Sequence, residues 1–331
     1  MASNTEIILA GDIGGTKTLL QLAEFSGECC NVIDERRFDS AAYAGLGPMI
    51  KDFLAARGGV APRSACFGVA GPVSGRTADI TNLAWRIDAD AVAREFRIPK
   101  VALINDFVAA ASGIEALTAA DLAVLQAGEP EERGPRAVIG AGTGLGEGYM
   151  VWQGDHYRAF PSEGGHADFA PTDERQIGLL RFLRRKFARA SYERVLAGQG
   201  LVDIYAFLRD AGAAPESAAV LRAMLSDDPA AVISHAALDE SDMLAEQALD
   251  MFVDIYGAQA GNLALTVLAT GGVYVAGGIA PKIVDKLRQG GFMRAFVDKG
   301  RFSGLLARVP VQVVLNARVG LLGAALVAGR L

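Results

Sequence analysis

Several features are scarce in this 331-residue chain, and each scarcity excludes a class of protein. Its three cysteines, Cys29, Cys30 and Cys66, are too few and too clustered for a disulfide framework or a paired CxxC zinc site. Acidic residues outnumber basic ones, 38 to 32, and the formal net charge is −6. This charge pattern argues against a nucleic-acid partner, because phosphate backbones are held by concentrated positive charge.

Long apolar runs and targeting patterns are scarce as well. No uncharged apolar segment reaches the ~20 residues that span a bilayer. The N-terminal residues lack the basic stretch, apolar run and small-residue cleavage site of a signal peptide. We therefore expect a cytoplasmic protein that binds neither membrane nor nucleic acid and acts on small molecules.

The length of the chain predicts two lobes, because single hydrophobic cores tend to split beyond ~250 residues. Two lobes also imply a cleft between them. No low-complexity linker marks the boundary, so we place it after a predicted helix that ends near residue 117. The predicted small lobe comprises residues 1–117 and 318–331, and the predicted large lobe comprises residues 118–317.

Apolar runs and helical patterns predict a mixed sheet flanked by helices. The first forty residues read as three short strands in a meander. The other predicted strands lie at 65–70, 101–104, 137–139, 148–152, 273–276 and 309–315. The predicted helices lie at 48–56, 89–96, 107–117, 176–187, 192–211, 239–268 and 319–328.

The first glycine-rich segment lies between two predicted strands and therefore forms a hairpin. Neither GxxxxGK[ST] nor GxGxxG occurs there, so both common nucleotide motifs are absent. Gly14 and Gly15 allow a sharp turn with accessible N–H groups, and Thr16 adds a hydroxyl donor. Asp12 is suited to hold Mg²⁺ directly or through water. The structural alternative is a tight hairpin closed by glycines.

Two further glycine turns follow buried strands. Gly142-Thr143-Gly144 repeats the strand, turn and strand plan in the second half of the chain. Gly277-Gly278 follows a third buried strand, ahead of Pro281. We expect the three turns to converge on one nucleotide, although Gly277-Gly278 alone is equally consistent with a plain strand-to-helix connection.

A polar pair, Asn105-Asp106, ends the predicted strand 101–104, where an α/β sheet opens its ligand crevice. Asp106 is suited to accept the proton of a substrate hydroxyl. It is equally suited to cap the helix that begins near Phe107.

The segment Ser162 to Asp168 places two acids and one imidazole around two glycines. A zinc site there lacks ligands, because the chain has three histidines and no cysteine nearby. Glu163 and His166 instead suit adjacent sugar hydroxyls. The structural alternative is a polar turn.

These motifs, taken in order, resemble the bacterial glucokinase family within the hexokinase/actin/Hsp70-like ATPase superfamily. They are AGDIGGTKT, GVAGPV, TNLAW, LINDF, GAGTGLG, SEGGHADFAP and VYVAGGI, and the resemblance extends over residues 11–323. It implies an α/β, two-lobed actin-like ATPase (ribonuclease H-like) fold. Each lobe would be a mixed sheet flanked by helices, with the active-site cleft between the lobes.

The resemblance also implies a glucokinase that uses ATP and Mg²⁺ at the entry to glycolysis and forms a homodimer. Asp106 would be the base for the sugar 6-hydroxyl, and Asp12 would hold Mg²⁺ through water. The implied substrate-binding residues are Asn82, Asn105, Asp106, Glu163, His166 and Glu193. The implied nucleotide-binding residues are Gly11, Asp12, Ile13, Gly14, Gly15, Thr16, Lys17, Gly142, Thr143, Gly144, Gly277 and Gly278.

Two departures narrow the resemblance. The CxCGxxGCxE zinc motif of the related repressor/open-reading-frame/kinase sugar kinases is absent, and Lys17 stands where many bacterial glucokinases carry Asn. Two alternatives stay open at this point. One is a kinase for another hexose or amino sugar, and the other is a nucleotide-switched regulatory ATPase of the same fold.

Overall fold

The computed structural model describes residues 5–26, 29–58, 60–80 and 83–331. The chain divides into two compact units. The first comprises Met1–Thr118, Gln153–Pro161 and Asn316–Leu331, and the second comprises Ala119–Trp152 and Ser162–Leu315. The predicted lobe limits do not include Gln153–Pro161 in the first lobe.

The strands and α-helices are numbered in chain order. The strands are β1 (Glu6–Ile13), β2 (Lys17–Ser26), β3 (Cys29–Asp39), β4 (Ser64–Val69), β5 (Val73–Ser74), β6 (Thr77–Asp79), β7 (Arg86–Asp88), β8 (Lys100–Asn105), β9 (Leu122–Gln126), β10 (Arg136–Ala141), β11 (Leu145–Gln153), β12 (His156–Ser162), β13 (Gly272–Ala276) and β14 (Val311–Val314). The helices are α1 (Leu46–Ala55), α2 (Ala89–Phe96), α3 (Asp106–Gly113), α4 (Glu174–Lys186), α5 (Gly198–Asp210), α6 (Ala218–Ala223), α7 (Pro229–Leu238), α8 (Met243–Val267), α9 (Val284–Arg288), α10 (Gly291–Val297), α11 (Ser303–Leu306) and α12 (Val319–Gly329).

The main sheet of the first unit has the order β3-β2-β1-β4-β8. Strands β1, β2 and β3 form the predicted antiparallel meander, and β1, β4 and β8 run parallel. In this register Ile13 lies opposite Val69, and Val69 lies opposite Asn105. The carboxyl ends of three parallel strands therefore meet at one edge, which brings the first glycine hairpin and Asp106 to the same place.

Helices α3 and α12 of the first unit approach each other closely. An added Cβ on Gly113 would collide with the backbone of Val319, and one on Gly323 would collide with the carbonyl of Ala109. Helix α12 covers one face of the sheet, where Ile8 and residues of the helix share a core. Residues such as Leu9 point to a second core on the other face, as the alternation of strand side chains requires.

The sheet of the second unit contains β11-β10-β13-β14-β9 in that order. Strands β10 and β11 are antiparallel, while β10, β13 and β14 are parallel. The predicted repetition of the strand, turn and strand plan is therefore confirmed. Helix α8 lies in the core and packs against α10, because Gly257 and Gly261 leave room for the backbone of Phe292 and Phe296.

The helix predicted at 192–211 is wrong at its start, because α5 begins at Gly198. The backbone N–H groups before this point make hydrogen bonds outside any helix. The N–H groups of Tyr192 and Glu193 donate to the carbonyls of Ala167 and Gly165, at 3.0 and 2.8 Å. Glu193 therefore lies in a turn that is hydrogen-bonded to the Gly164–His166 segment, and it is not a helix-start acid.

Two other helix boundaries differ from the prediction. Helix α3 ends at Gly113 and continues only as a 3-10 turn over Ile114–Ala116. Helix α8 begins at Met243, because Asp242 caps it by accepting from the N–H of Ala245 at 2.7 Å. Both units nevertheless have the predicted α/β character. Among the described residues, no helix combines the length and apolar character that a membrane span requires.

Candidate active site

The first hairpin loop, between β1 and β2, is held from outside by Ser40. The N–H of Gly14 donates to the carbonyl of Lys17 at 3.0 Å and closes the turn. The buried hydroxyl of Ser40 donates to the Gly14 carbonyl at 2.8 Å, and the Ser40 N–H donates to the Thr16 carbonyl at 3.1 Å. Ser40 thus fixes two carbonyls of the loop.

The N–H groups of Gly15 and Thr16 donate to no backbone carbonyl in the part of the chain that the structure describes. An array of free N–H groups in a turn is an anion-binding feature. Gly14 is not in the left-handed region, but a Cβ there would lie 3.1 Å from the Lys17 carbonyl. Gly11 is required by packing, since its Cβ would lie 2.6 Å from the ring of Phe67.

Asp12 is a half-buried acid at the end of β1. Burial raises its pKa, the negative charge of Asp106 raises it further, and the ammonium group of Lys17 partly lowers it. A Cβ on Gly320, in the first turn of α12, would lie 3.6 Å from the carboxylate. The helix N-terminus favours a negative charge at this position.

Asp106 does not cap α3, so the alternative that assigned it this role is wrong. The cap is Asn105, whose Oδ1 accepts from the N–H groups of Phe107 and Val108 at 2.9 and 3.4 Å, while its Nδ2 donates to the Gly71 carbonyl at 3.4 Å. Asp106 is instead the first residue of the helix, and its Oδ1 accepts from the Phe107 N–H at 2.9 Å. Burial raises the pKa of Asp106, and the Phe107 N–H partly offsets this.

The second hairpin loop, between β10 and β11, lies against the third glycine turn. The N–H of Gly142 donates to the Gly144 carbonyl at 2.8 Å, and the Gly198 N–H donates to the Gly142 carbonyl at 2.9 Å. Gly277 has a φ of +80°, and its Cβ would lie 2.5 Å from the Ala141 carbonyl, so only glycine fits. The Gly277-Gly278 turn leads into a 3-10 helix at Ala280–Ile283.

These two turns border a cavity of about 560 Å³ in the second unit. Gly142, Thr143 and Gly278 are among its lining residues. Gln199 of α5 and His235 of α7 also line it, among other residues. Its size falls within the ~300–1,000 Å³ of ordinary small-molecule pockets.

His166 lies between two carboxylates in the second unit. Its Nε2 is 3.8 Å from Oε2 of Glu163, and its Nδ1 is 3.7 Å from Oε1 of Glu193. The side chain of Glu163 is 90% exposed and that of Glu193 is 32% exposed. The three predicted residues therefore form one group, with donors and acceptors spaced for adjacent hydroxyls.

Glu193 also connects this group to the second hairpin loop. Its Oε2 accepts from the Leu145 N–H at 3.1 Å. A Cβ on Gly144 would lie 2.6 Å from the same oxygen, so the small residue permits this approach. The Glu193 carboxylate thus connects residues predicted to bind sugar with a loop predicted to bind nucleotide.

Each unit therefore collects part of the predicted site. The first unit holds Gly11 to Lys17 together with Asn105 and Asp106, and the second holds the other two glycine turns with Glu163, His166 and Glu193. Asn82 lies outside the described residues.

Sequence reasoning missed two buried residues at the site. Ser40 follows β3, and the pattern Asp39-Ser40 signals a helix start but not its partners in a loop 26 residues away. Glu147 is a lone acid in the apolar strand β11 and is only 3% exposed. A charged residue at a buried strand position is a signal that sequence reading can use, because such groups are seldom buried without a role.

Comparisons with known proteins point to one family. A glucokinase family model matches residues 9–331. The chain is 50% identical to a glucokinase of Nostoc sp., covering 98% of this chain and 99% of the relative, and 44% identical to a glucokinase of Synechocystis sp., covering 97% and 98%. A crystal structure of a glucokinase from an Antarctic psychrotroph superposes with a TM-score of 0.87 at 29% identity, covering 98% of this chain and 99% of that chain.

The two-unit α/β architecture and the full-length match thus lead to the same assignment. The chain belongs to the glucokinase family.

Proposed function

We propose that this protein is an ATP-dependent glucokinase, which transfers the γ-phosphoryl group of Mg·ATP to the 6-hydroxyl of D-glucose and gives glucose 6-phosphate and ADP. One observation carries the proposal. A half-buried carboxylate with a raised pKa, Asp106, lies at the sheet edge that also carries an anion-binding hairpin. A base beside a phosphate site is what phosphoryl transfer to a hydroxyl requires.

Asp106 would act as the base. The glucose O6 forms a bond to the γ-phosphorus, the bond from phosphorus to the bridging oxygen breaks, and ADP leaves with that electron pair. The O6 proton passes to the Asp106 carboxylate. The raised pKa brings the acidity of this group closer to neutral pH, which favours a general base.

The nucleotide would be held by glycine turns of both units. The free N–H groups of Gly15 and Thr16 suit phosphate oxygens, and Gly11, Ile13, Gly14 and Lys17 complete that loop. Gly142, Thr143, Gly144, Gly277 and Gly278 belong to the turns around the cavity, which has room for a nucleoside.

Mg²⁺ fits the chemistry around Asp12. The charge of Asp106 raises the Asp12 pKa, so the two carboxylates repel each other and a cation would relieve that repulsion. Among the described residues, no group of three or more His, Cys, Asp and Glu side chains is arranged so that it could hold a metal ion. This favours Mg²⁺ that keeps several waters and phosphate oxygens, as it usually does. When bound, the ion neutralises charge on the phosphates.

Glucose would be held by Glu163, His166 and Glu193, with Asn105 next to Asp106 in the chain. Asn82, outside the described residues, is included on the sequence resemblance alone. The imidazole supplies a donor, and the two carboxylates beside it supply several acceptors, for neighbouring hydroxyls. A site of this kind rejects sugars that leave a group unpaired.

A coupled assay of ADP release, run over a panel of hexoses and amino sugars with ATP, ADP or polyphosphate as donor, tests the proposal. We expect strong stimulation by glucose with ATP. A higher kcat/KM with another sugar would reassign the substrate. A flat response to all sugars would instead favour a regulatory ATPase. The homodimer, the cytoplasmic location and the role at the entry to glycolysis stay predictions, and sedimentation of the purified protein checks the first.

A further inference from the structure

A buried acid that the proposed reaction does not use lies against the segment 163–166, which carries Glu163 and His166 of the proposed sugar site. Glu147 of β11 is 3% exposed, and its Oε1 accepts from Nε2 of Gln259 at 2.8 Å. Burial raises its pKa, and the amide of Gln259 partly offsets this. A carboxyl buried without a cationic partner is costly, so its presence asks for a reason.

One carboxylate oxygen of Glu147 lies directly against this segment. Its Oε2 occupies the space that a Cβ on Gly164 would need. Gly164 is the first residue of the 3-10 turn that ends at His166, and its carbonyl accepts from the Ala167 N–H at 2.9 Å. The position of Glu147 therefore limits where this turn can lie.

The other carboxylate oxygen is connected to the same segment by hydrogen bonds through the side chains of Gln259, Asn262 and Tyr192. Oε1 of Gln259 accepts from Nδ2 of Asn262 at 3.1 Å, and the same Nδ2 lies 3.0 Å from the hydroxyl of Tyr192. Gln259 and Asn262 are three residues apart on α8 and so share a helix face. The N–H of Tyr192 donates to the Ala167 carbonyl at 3.0 Å. The network thus holds the turn at both of its ends.

We propose that Glu147 is a positioning residue for sugar binding, which sets the Gly164–His166 turn and so places Glu163 and His166 relative to each other, while the Glu193 carboxylate is held separately by the Leu145 N–H. The inference rests on the proposed glucokinase function. It concerns the sugar and not the nucleotide, because the network from Glu147 to Tyr192 ends at the turn.

The test measures kcat and the KM values for glucose and ATP in the full-length protein. We expect Glu147→Ala to raise the glucose KM about tenfold or more and to leave the ATP KM within about twofold. Glu147→Gln keeps the shape and the acceptor for Gln259, so it should restore a KM within about threefold of the wild type. Asp242→Ala is the matched control, because Asp242 is also a buried acid of this unit, 5% exposed, but caps α8.

The proposal is overturned if Glu147→Ala lowers the melting temperature as Asp242→Ala does and leaves the glucose KM unchanged. A wild-type protein that does not phosphorylate glucose would overturn the proposed function instead, which keeps the two failures distinguishable.

A second series applies even if Glu147→Ala does not fold. Gly164→Ala places a methyl group against the Glu147 carboxylate and should raise the glucose KM, whereas Gly304→Ala, which has open space around it, should not. Adding Glu147→Asp shortens the acid and should recover at least about half of the loss in free energy, a coupling that independent sites do not show. A wild-type glucose KM in Gly164→Ala, or additive effects in the double variant, would contradict the proposal.

Discussion

The two glycine hairpins share one strand-turn-strand plan, yet the side chains that hold them have opposite hydrogen-bonding character. In the first unit, the hydroxyl and N–H of Ser40 donate to the carbonyls of Gly14 and Thr16. In the second unit, the carboxylate of Glu193 accepts from the N–H of Leu145. A donor that occupies carbonyls leaves the loop N–H groups for an anion, whereas an acceptor removes one of them.

The charged side chains beside the two hairpins also differ, in how far they are exposed. Asp12 and Asp106, beside the first, are half-buried and have raised pKa values. Glu163 and His166, on the segment joined to the second, have side chains that are 90% and 57% exposed. Burial tunes a group for proton transfer, while exposure leaves it free to meet a ligand. We therefore propose that one local plan serves catalysis in one unit and substrate recognition in the other.

The largest expected effect removes the base beside the first hairpin. Asp106→Asn keeps the size of the side chain and an oxygen for the Phe107 N–H but cannot take the O6 proton, so kcat should fall by about 10²- to 10⁴-fold. ATP binding should persist, as measured by fluorescence titration. Asp79→Asn, which changes an exposed acid of the same unit, is the control. Near wild-type turnover in Asp106→Asn would remove Asp106 from its proposed role.

Glu193 should show the next largest effect, because it joins the second hairpin to the sugar residues. Glu193→Ala removes the acceptor for Leu145 and the partner of His166, so the KM values for glucose and ATP should both rise, by about 10- to 100-fold for glucose. Glu193→Gln keeps the acceptor and loses the charge.

These two variants separate the roles of Glu193. Steady-state kinetics should show that Glu193→Gln recovers the ATP KM and not the glucose KM. If Glu193→Ala alters only one of the two KM values, the carboxylate does not link the two sets of residues.

Ser40 should affect the nucleotide alone. Ser40→Ala leaves the half-buried Gly14 carbonyl without its hydroxyl donor, which should cost about 1 kcal/mol of stability and raise the ATP KM about 5- to 10-fold. Ser64→Ala is a matched control, because the buried Ser64 hydroxyl of the same unit donates to the Ala328 carbonyl at 2.7 Å, away from the loop. Equal ATP KM values in both variants would mean that Ser40 only stabilises the fold.

Ser40 also illustrates what sequence reading can and cannot find. Strand alternation and glycine turns predicted the meander, the repeated hairpin and the sheet edge that carries Asp106, because these depend on local patterns. Partners distant in sequence escaped it. The residues around Ser40 do not indicate that its hydroxyl donates to the Gly14 carbonyl. The residues around Glu193 likewise predict a helix, because their pattern does not indicate that the N–H groups of this turn donate to the carbonyls of Gly165 and Ala167.

A smaller effect concerns stability and pH at the first hairpin. Since burial and the charge of Asp106 raise the folded-state pKa of Asp12, its ionised form costs stability above that pKa. The cost disappears as the pH falls below the ordinary Asp range near ~4. Asp12→Asn should therefore raise the melting temperature by about 2–4 °C at neutral pH and by less in acid.

Thermal denaturation across the pH range checks this, with Glu163→Gln as the comparison in the second unit. That side chain is 90% exposed, so its replacement should give no pH-dependent gain. A similar gain in both variants would show that the two hairpins do not differ in buried charge.

The smallest effect should come from Lys17, which is exposed and whose ammonium group partly offsets the charge on Asp12. An exposed charge contributes about 0.2–1 kcal/mol, so Lys17→Asn should raise the ATP KM by no more than about 2- to 5-fold. The effect should shrink as salt is added, because exposed charges are screened. Lys51 is an exposed lysine on α1, and Lys51→Asn should change neither the ATP KM nor its dependence on salt.

The second hairpin, 140–146, has no lysine, so its contribution to ATP binding should depend little on salt. If Lys17→Asn instead lowers kcat tenfold at every salt concentration, Lys17 acts on the transferred phosphoryl group, and the first hairpin does more than bind the anion.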